Sequence, residues 1–316
     1  MAGPANIRQW SLVRVPCSTS NLGAGFDCVG LALDRYLEAS YEPAAGGLDV
    51  IRDGTVADLA VPAAEDVLVQ ALVERLGGHG VSASGTVRVR SGIPVGRGLG
   101  SSAAARVAGW VLGGAALGLR FSREDAFAHA TAAEGHPDNA GPCALGGLIA
   151  VAPPARRNAT SMSAIRLPLS PAIGWAFAAP AARVSTEEAR GSLPASVERA
   201  QAVDAIRRMA ALLRGLETAD PALLAIGFAD RFHVPYRLPL IPGADAAMHA
   251  GEEAGAWAVT ISGSGSGLIA ACARGAEPAV AEAMAEAFRR HGTDDPDGVL
   301  GFALSPDTGG AQILSS

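Results

Sequence analysis

The 316-residue chain contains no lysine: all 25 of its Lys+Arg residues are arginines. That excludes chemistry built on an amine side chain. A Walker A loop needs Lys on the phosphates, a protein kinase needs its strand Lys, and a Schiff-base enzyme needs a Lys nucleophile. Any phosphate chemistry must therefore rest on backbone N–H groups, helix dipoles, metal and arginine. Cysteine is scarce too. Cys17, Cys28, Cys143 and Cys272 form no CxxC pair and no zinc spacing, so they read as small buried hydrophobes in a reducing compartment. Net charge is 25 − 31 = −6, a poor basis for non-specific nucleic-acid binding. No stretch approaches 18 apolar residues, and residues 1–10 lack a basic segment followed by an apolar run. The expectation is a soluble cytoplasmic protein with neither a membrane nor a nucleic-acid partner. The sequon at Asn158-Ala159-Thr160 is then a chance match.

What is present supports a large core: 49% of residues are hydrophobic and 18% charged. The length suits two domains of about 150 residues each. No internal repeat is evident. Strands are expected at 11–15 (ended by Pro16), 31–41, 86–90, 145–152, 173–178, 257–262 and 268–273. Helices are expected at 66–76, 101–117, 123–134, 197–216, 221–228 and 278–291. The Pro- and Arg-rich run at 153–158 is the best linker, dividing the chain into domains 1–155 and 156–316. Strands and helices mix without strict alternation, which favours an α+β class over a doubly wound sheet.

The central feature is Pro94-Val95-Gly96-Arg97-Gly98-Leu99-Gly100-Ser101-Ser102-Ala103-Ala104. Glycines at every second position let backbone N–H groups turn toward a ligand without obstruction by Cβ atoms. The following helix aims its positive end at the same place. Together they make an anion cradle suited to a di- or triphosphate, with Ser101 and Ser102 adding hydroxyls. Three other readings compete. One is a glycine-rich hairpin with a serine helix cap. Another is a dinucleotide fingerprint, because Gly98 to Ala103 fits GxGxxA; the preceding run alternates Val with Arg, however, and no acid follows about 20 residues on. The third is a hydrolase elbow, which fails because Ala104 stands where GxSxG requires glycine.

Two more motifs join the loop. Residues 16–27 read Pro-Cys-Ser-Thr-Ser-Asn-Leu-Gly-Ala-Gly-Phe-Asp, and residues 261–267 read Ile-Ser-Gly-Ser-Gly-Ser-Gly. In order and spacing the three resemble the signature motifs of the GHMP kinase superfamily of small-molecule kinases. Within it, the segments at 20–27, 134–139 (Glu-Gly-His-Pro-Asp-Asn), 185–190 (Ser-Thr-Glu-Glu-Ala-Arg) and 235–237 (Pro-Tyr-Arg) resemble the homoserine kinase family. The resemblance implies a two-domain α+β fold with a ferredoxin-like C-terminal domain and the active site in a cleft between domains. It implies ATP and Mg2+ and transfer of phosphate to the hydroxyl of L-homoserine, on the path to threonine. A homodimer follows from the resemblance alone.

On this resemblance Pro94, Gly96, Arg97, Gly98, Leu99, Gly100, Ser101, Ser102 and Ala103 form the nucleotide loop. Ser102 and Glu134 would hold Mg2+, which takes few protein oxygens. Homoserine carries a carboxylate, an ammonium and a hydroxyl. Arg190 and Arg237 suit the carboxylate, Asp27 the ammonium, Asn21 a further hydrogen bond and Asn139 the hydroxyl, with Gly263 beside them. Asn139, Arg190 and Glu134 are the expected catalytic set. No dedicated base is expected: His136 reads as a loop-orienting residue and Asp138 as structural or electrostatic. Three positions depart from the family pattern. Arg97 stands where Lys is frequent, Ser266 where Pro is common, and the adenine-side helix opens with Glu65-Asp66-Val67 rather than Asn. Rival readings are a GHMP kinase of mevalonate or threonine, a non-catalytic nucleotide-binding protein, and a NAD-dependent enzyme. A mevalonate site has no ammonium for Asp27 to satisfy, whereas threonine offers the same groups as homoserine.

Overall fold

The computed structural model describes residues 11–154, 162–292 and 294–314. The first half carries β1 (Leu12–Asn21), β2 (Gly25–Pro43), β3 (Leu48–Gly54), α1 (Val67–Gly77), β4 (Gly85–Ser91), α2 (Ser101–Ala116), α3 (Arg123–Glu134), α4 (Pro137–Leu145), β5 (Leu148–Ala152) and β6 (Ser163–Leu167). The second carries β7 (Ile173–Ala179), α5 (Thr186–Gly191), α6 (Arg199–Thr218), α7 (Pro221–Phe228), α8 (Val234–Arg237), α9 (Ala244–Glu253), β8 (Ala256–Ile261), β9 (Leu268–Ala273), α10 (Glu277–His291), β10 (Leu300–Leu304) and β11 (Gln312–Leu314). Most of the expected linker, the 155/156 division, residues 1–10 and the sequon lie outside the described residues.

The first sheet runs β11-β1-β2-β4-β3, with β5 joined to β2 and β6 to β5. All pairings are antiparallel except β3 with β4, and α1 makes the crossover between them. The second sheet runs β10-β7-β9-β8. Numbered within that half, its order is 4-1-3-2 with α10 between the last two strands. This is the ferredoxin-like order, with α5 to α9 replacing its first helix. The α+β class is as expected.

Local chemistry explains the elements around the cleft. Asp66 caps α1, accepting from the Leu68 and Val69 amides at 2.9 and 3.4 Å. Leu68, Leu72 and Leu76 form the buried stripe of α1. This stripe meets α2 closely, because Gly109 leaves room: a Cβ there would lie 2.0 Å from the Leu68 carbonyl oxygen. Pro16 does not end β1, since the strand bulges between Pro16 and Cys17 and absorbs the missing donor. β3 and α4 had no sequence-level expectation. β3 is an edge strand with Leu48, Val50 and Arg52 half-buried on one face, and exposed Ile51 on the other face breaks the apolar alternation. In α4 an internal proline, Pro142, masks the helical pattern.

Candidate active site

The three glycine-bearing segments converge because their small residues let backbone approach backbone. The Ser18 amide donates to the Leu99 carbonyl at 3.2 Å, and the Gly263 amide to the Ser20 carbonyl at 3.1 Å. The Ser262 hydroxyl donates to the Gly98 carbonyl at 2.7 Å and sits 2.9 Å from the Thr19 hydroxyl. Gly98, at φ +79, is required here: a Cβ would lie 2.0 Å from the Ser262 carbonyl oxygen. A cleft of about 390 Å³ opens beside this junction.

The loop wall of the cleft consists of Val95, Gly96, Gly98, Leu99, Gly100, Ser101, Ser102 and Ala103. Gly100, in the left-handed region, precedes α2, so Ser101 is the first helical residue rather than the cap. Among the described residues no protein acceptor takes an amide from residues 96–103. These unspent donors at the start of a 16-residue helix are what an anion needs. Arg97 is a correction: it does not line the cleft. Its guanidinium is buried and donates to the carbonyls of Pro180 (2.6 Å) and Ala182. Burial, and next the Arg183 charge, lower its pKa. Pro94 also stays outside the lining.

Ser102 and Glu134 come together as expected, the hydroxyl donating to Glu134 Oε1 at 2.6 Å. The same oxygen takes Arg106 Nε at 2.7 Å, and Glu134 is only 11% exposed. Arg106 was missed from sequence. Its signal was present, because it lies four residues after Ser102 on the same helix face. With Oε1 taken by both donors, Glu134 Oε2 is left for a cation. Two hard oxygen donors beside a phosphate cradle fit Mg2+, which completes its shell from phosphate and water.

The opposite wall is charged. Asn21, at φ 71, donates through Nδ2 to the Gly263 carbonyl (2.7 Å) and accepts the Asp27 amide through Oδ1 (2.9 Å). Asp27 receives Arg190 bidentately, at 2.8 and 3.2 Å. Burial works against the Arg190 charge, but Asp27 outweighs it and the guanidinium pKa rises. Arg237, in α8, is 2% exposed. It donates to the carbonyls of Ala189 (3.2 Å) and Gly263 (3.4 Å), and no acidic side chain pairs with it among the described residues. Burial, then the neighbouring Arg190 charge, lower its pKa. Asn139 is held on both sides of its amide: Ser18 donates to Oδ1 and Nδ2 donates to Ser20, each at 2.9 Å. His136 Nδ1 lies 3.6 Å from buried Asp138, and that neighbouring carboxylate raises the imidazole pKa. Asn21, Asp27, Asn139, Arg190, Arg237 and Gly263 all line the one cleft.

A third stretch of lining is apolar and includes Val56, Leu59, Val61, Val67, Leu68 and Val89. Asp66 borders it with its carboxylate already spent, on the α1 amides and on Arg52 at 2.6 Å. Ser266 stands in the third motif where Pro is common. It is fully buried and its hydroxyl donates to the Ala182 carbonyl at 2.7 Å. The cysteines are free thiols. Cys17, Cys143 and Cys272 are buried, and burial pushes Cys17 and Cys272 to about 12. Among the described residues no helix is long and apolar enough to cross a membrane.

Residues 61–147 match the family profile of GHMP kinase N-terminal domains, and residues 202–293 that of GHMP kinase C-terminal domains. A homoserine kinase of Moorella thermoacetica is 42% identical over 288 residues, covering 89% of this chain and 93% of that protein. One from Synechococcus sp. (strain CC9605) is 36% identical, covering 96% and 97%. The solved homoserine kinase of Cytophaga hutchinsonii superposes with a TM-score of 0.81 at 25% identity, covering 99% of both chains. The L. major mevalonate kinase shares the fold alone, with a TM-score of 0.69 at 14% identity over 97% and 99% of the chains. The converging glycine motifs, the unspent amides at the start of α2 and these likenesses agree: the chain belongs to the GHMP kinase superfamily, in its homoserine kinase family.

Proposed function

We propose that this chain transfers the γ-phosphoryl group of ATP to the terminal hydroxyl of L-homoserine, giving O-phospho-L-homoserine and ADP on the route to threonine. The observation that carries this reading is buried Arg237, a cation without a carboxylate, beside the Asp27–Arg190 pair in the same cleft as the amide cradle. An unpaired buried charge is costly. A ligand carboxylate relieves that cost at Arg237, and an amino acid brings an ammonium that Asp27 can take at the same time. The homoserine kinases to which the chain is 36–42% identical supply the substrate's name.

In the proposed reaction the amides of residues 96–103 hold the phosphates. The apolar walls near Val61 and Leu68 take the adenine, with Asp66 contributing through helix geometry rather than a direct contact. Ser102 and Glu134 hold Mg2+, which when bound neutralises charge on the phosphates. Arg237 and Arg190 fix the substrate carboxylate, Asp27 its ammonium, and Asn139, locked between Ser18 and Ser20, orients the hydroxyl. The hydroxyl oxygen bonds to the γ-phosphorus as the bond to ADP breaks, and its proton leaves to phosphate. Catalysis then rests on positioning and charge neutralisation, without a dedicated base. The cytoplasmic setting and a homodimer belong to the same proposal; sedimentation of the pure protein tests the second.

A coupled ADP-release assay with homoserine, threonine and mevalonate decides the reading. Homoserine is expected to give by far the largest kcat/KM. Turnover of mevalonate at a comparable rate, or of none of the three, overturns it.

A further inference from the structure

Behind Arg237 lies a histidine that the reaction as described does not use. His233 is fully buried one helical turn before Arg237, at the start of α8. Its Nε2 is 3.1 Å from the Gly23 carbonyl, in the turn between Asn21 and Asp27. Its Nδ1 is 3.5 Å from Arg237 Nη1. Phe26 covers the ring, with centroids 4.9 Å apart, and the Arg237 guanidinium carbon lies 5.1 Å from the Phe26 ring centroid. Asp230 anchors the segment from below, one oxygen taking the amides of Phe232, His233 and Val234 at 2.7–2.9 Å.

Only one form of the ring satisfies both contacts. With the proton on Nε2, the ring donates to the Gly23 carbonyl and accepts from Arg237. With the proton on Nδ1, a lone pair faces a carbonyl oxygen and an N–H faces a guanidinium N–H. The doubly protonated ring sets a second cation against Arg237, and Asp230 Oδ2, 3.7 Å from Nε2, offsets only part of that cost. Burial opposes that form, holding the imidazole neutral.

We propose that His233 is a positioning residue that ties the Gly23 turn to Arg237, setting the guanidinium and the Asn21–Asp27 segment in register for one amino-acid substrate. This rests on the reading of Arg237 as the carboxylate-binding cation. Three variants separate the two bonds from mere filling of space. H233F keeps a ring against Phe26 but makes neither bond. H233N keeps an acceptor near the δ position, and H233Q keeps a donor near the ε position.

The expected result for H233F is a rise of about tenfold in the KM for homoserine with the KM for ATP within about twofold, in line with loss of one long hydrogen bond from a charged donor. H233N and H233Q are expected to fall between H233F and the native enzyme. Equal rises in both KM values, or a lowered melting temperature with both KM values unchanged, overturn the proposal. R237A serves as the control on the underlying reading: if it leaves the homoserine KM unchanged, that reading fails, whatever His233 does. Nitrogen-15 NMR of the unmutated protein adds a test that needs no variant to fold. A neutral ring protonated on Nε2 is expected, and a proton on Nδ1 refutes the proposal.

Discussion

At the scale of single residues, the charged wall is an arrangement of partners that a zwitterion rearranges. Asp27 and Arg190 are both about one-third exposed and satisfy each other bidentately. A homoserine molecule offers each of them a second partner without leaving either alone. Arg190→Ala is therefore expected to raise the homoserine KM about ten- to a hundredfold, from about 1.5–3 kcal/mol for a hydrogen bond to a charged group. ATP affinity, measured by nucleotide titration, should stay within about twofold; an equal loss of both counts against the assignment. The residues of the motifs were legible in the sequence because each belongs to a short run with a family likeness. His233 was not, because its meaning lies in what faces it across the fold, and Arg106 was marked only by its helical spacing from Ser102. The buried imidazole also has a stability signature. Burial depresses its pKa from 6.5 to about 4. Between those values the unfolded chain binds a proton that the folded chain refuses, so stability is full above 6.5 and falls as pH drops toward 4. Urea unfolding of the native protein and H233N at pH 7, 6 and 5 measures this. The native protein is expected to lose more stability than the variant over that range, and parallel losses would remove His233 as a cause.

At the scale of elements, the phosphate loop is shaped by what it packs against as much as by its own glycines. The sequence showed the alternate glycines and the helix that follows. It did not show that Gly98 must lie flat on Ser262, because that neighbour comes 164 residues later. Gly98→Ala places a methyl group 2.0 Å from a carbonyl oxygen at a φ of +79. Overpacking of about 1–3 kcal/mol and left-handed strain of at least about 1 kcal/mol should add. A melting temperature lowered by several degrees, together with weakened ATP binding, is the expected outcome in calorimetry and titration. Unchanged ATP binding would mean that the loop is not the cradle. Helix α2 carries a second device of this kind. Ser102 and Arg106, one turn apart, both hold Glu134 Oε1. Arg106→Leu frees the carboxylate to rotate, and Mn2+ binding followed by electron paramagnetic resonance should weaken about tenfold, as is usual when a support behind a metal ligand is lost. R106K should restore part of it; tighter binding in R106L would show instead that the guanidinium repels the metal.

At the scale of the molecule, the two sheets are not independent bodies. β11, at the end of the chain, pairs with β1, so residues 312–314 complete the first sheet. A single buried cluster contains Val15, Leu31 and Leu72 from the first half and Trp175, Phe177 and Ile269 from the second. Arg97 reaches from the phosphate loop to the carbonyls of Pro180 and Ala182, just after β7. Composition and length alone suggested two domains of similar size, and they carry no information on how much core the halves share. The residue runs gave the α+β class, but the return of the C-terminus to β1 rests on a three-residue strand that no local pattern marks. Shared core ties the unfolding of one half to that of the other. Differential scanning calorimetry is therefore expected to show one transition, with calorimetric and van't Hoff enthalpies equal. ATP should move that single peak upward as a unit, since a ligand that binds only the folded state stabilises everything coupled to it. Two resolved peaks, with ATP raising only one, would show that the halves unfold separately and that the cleft is held by contacts weaker than a common core.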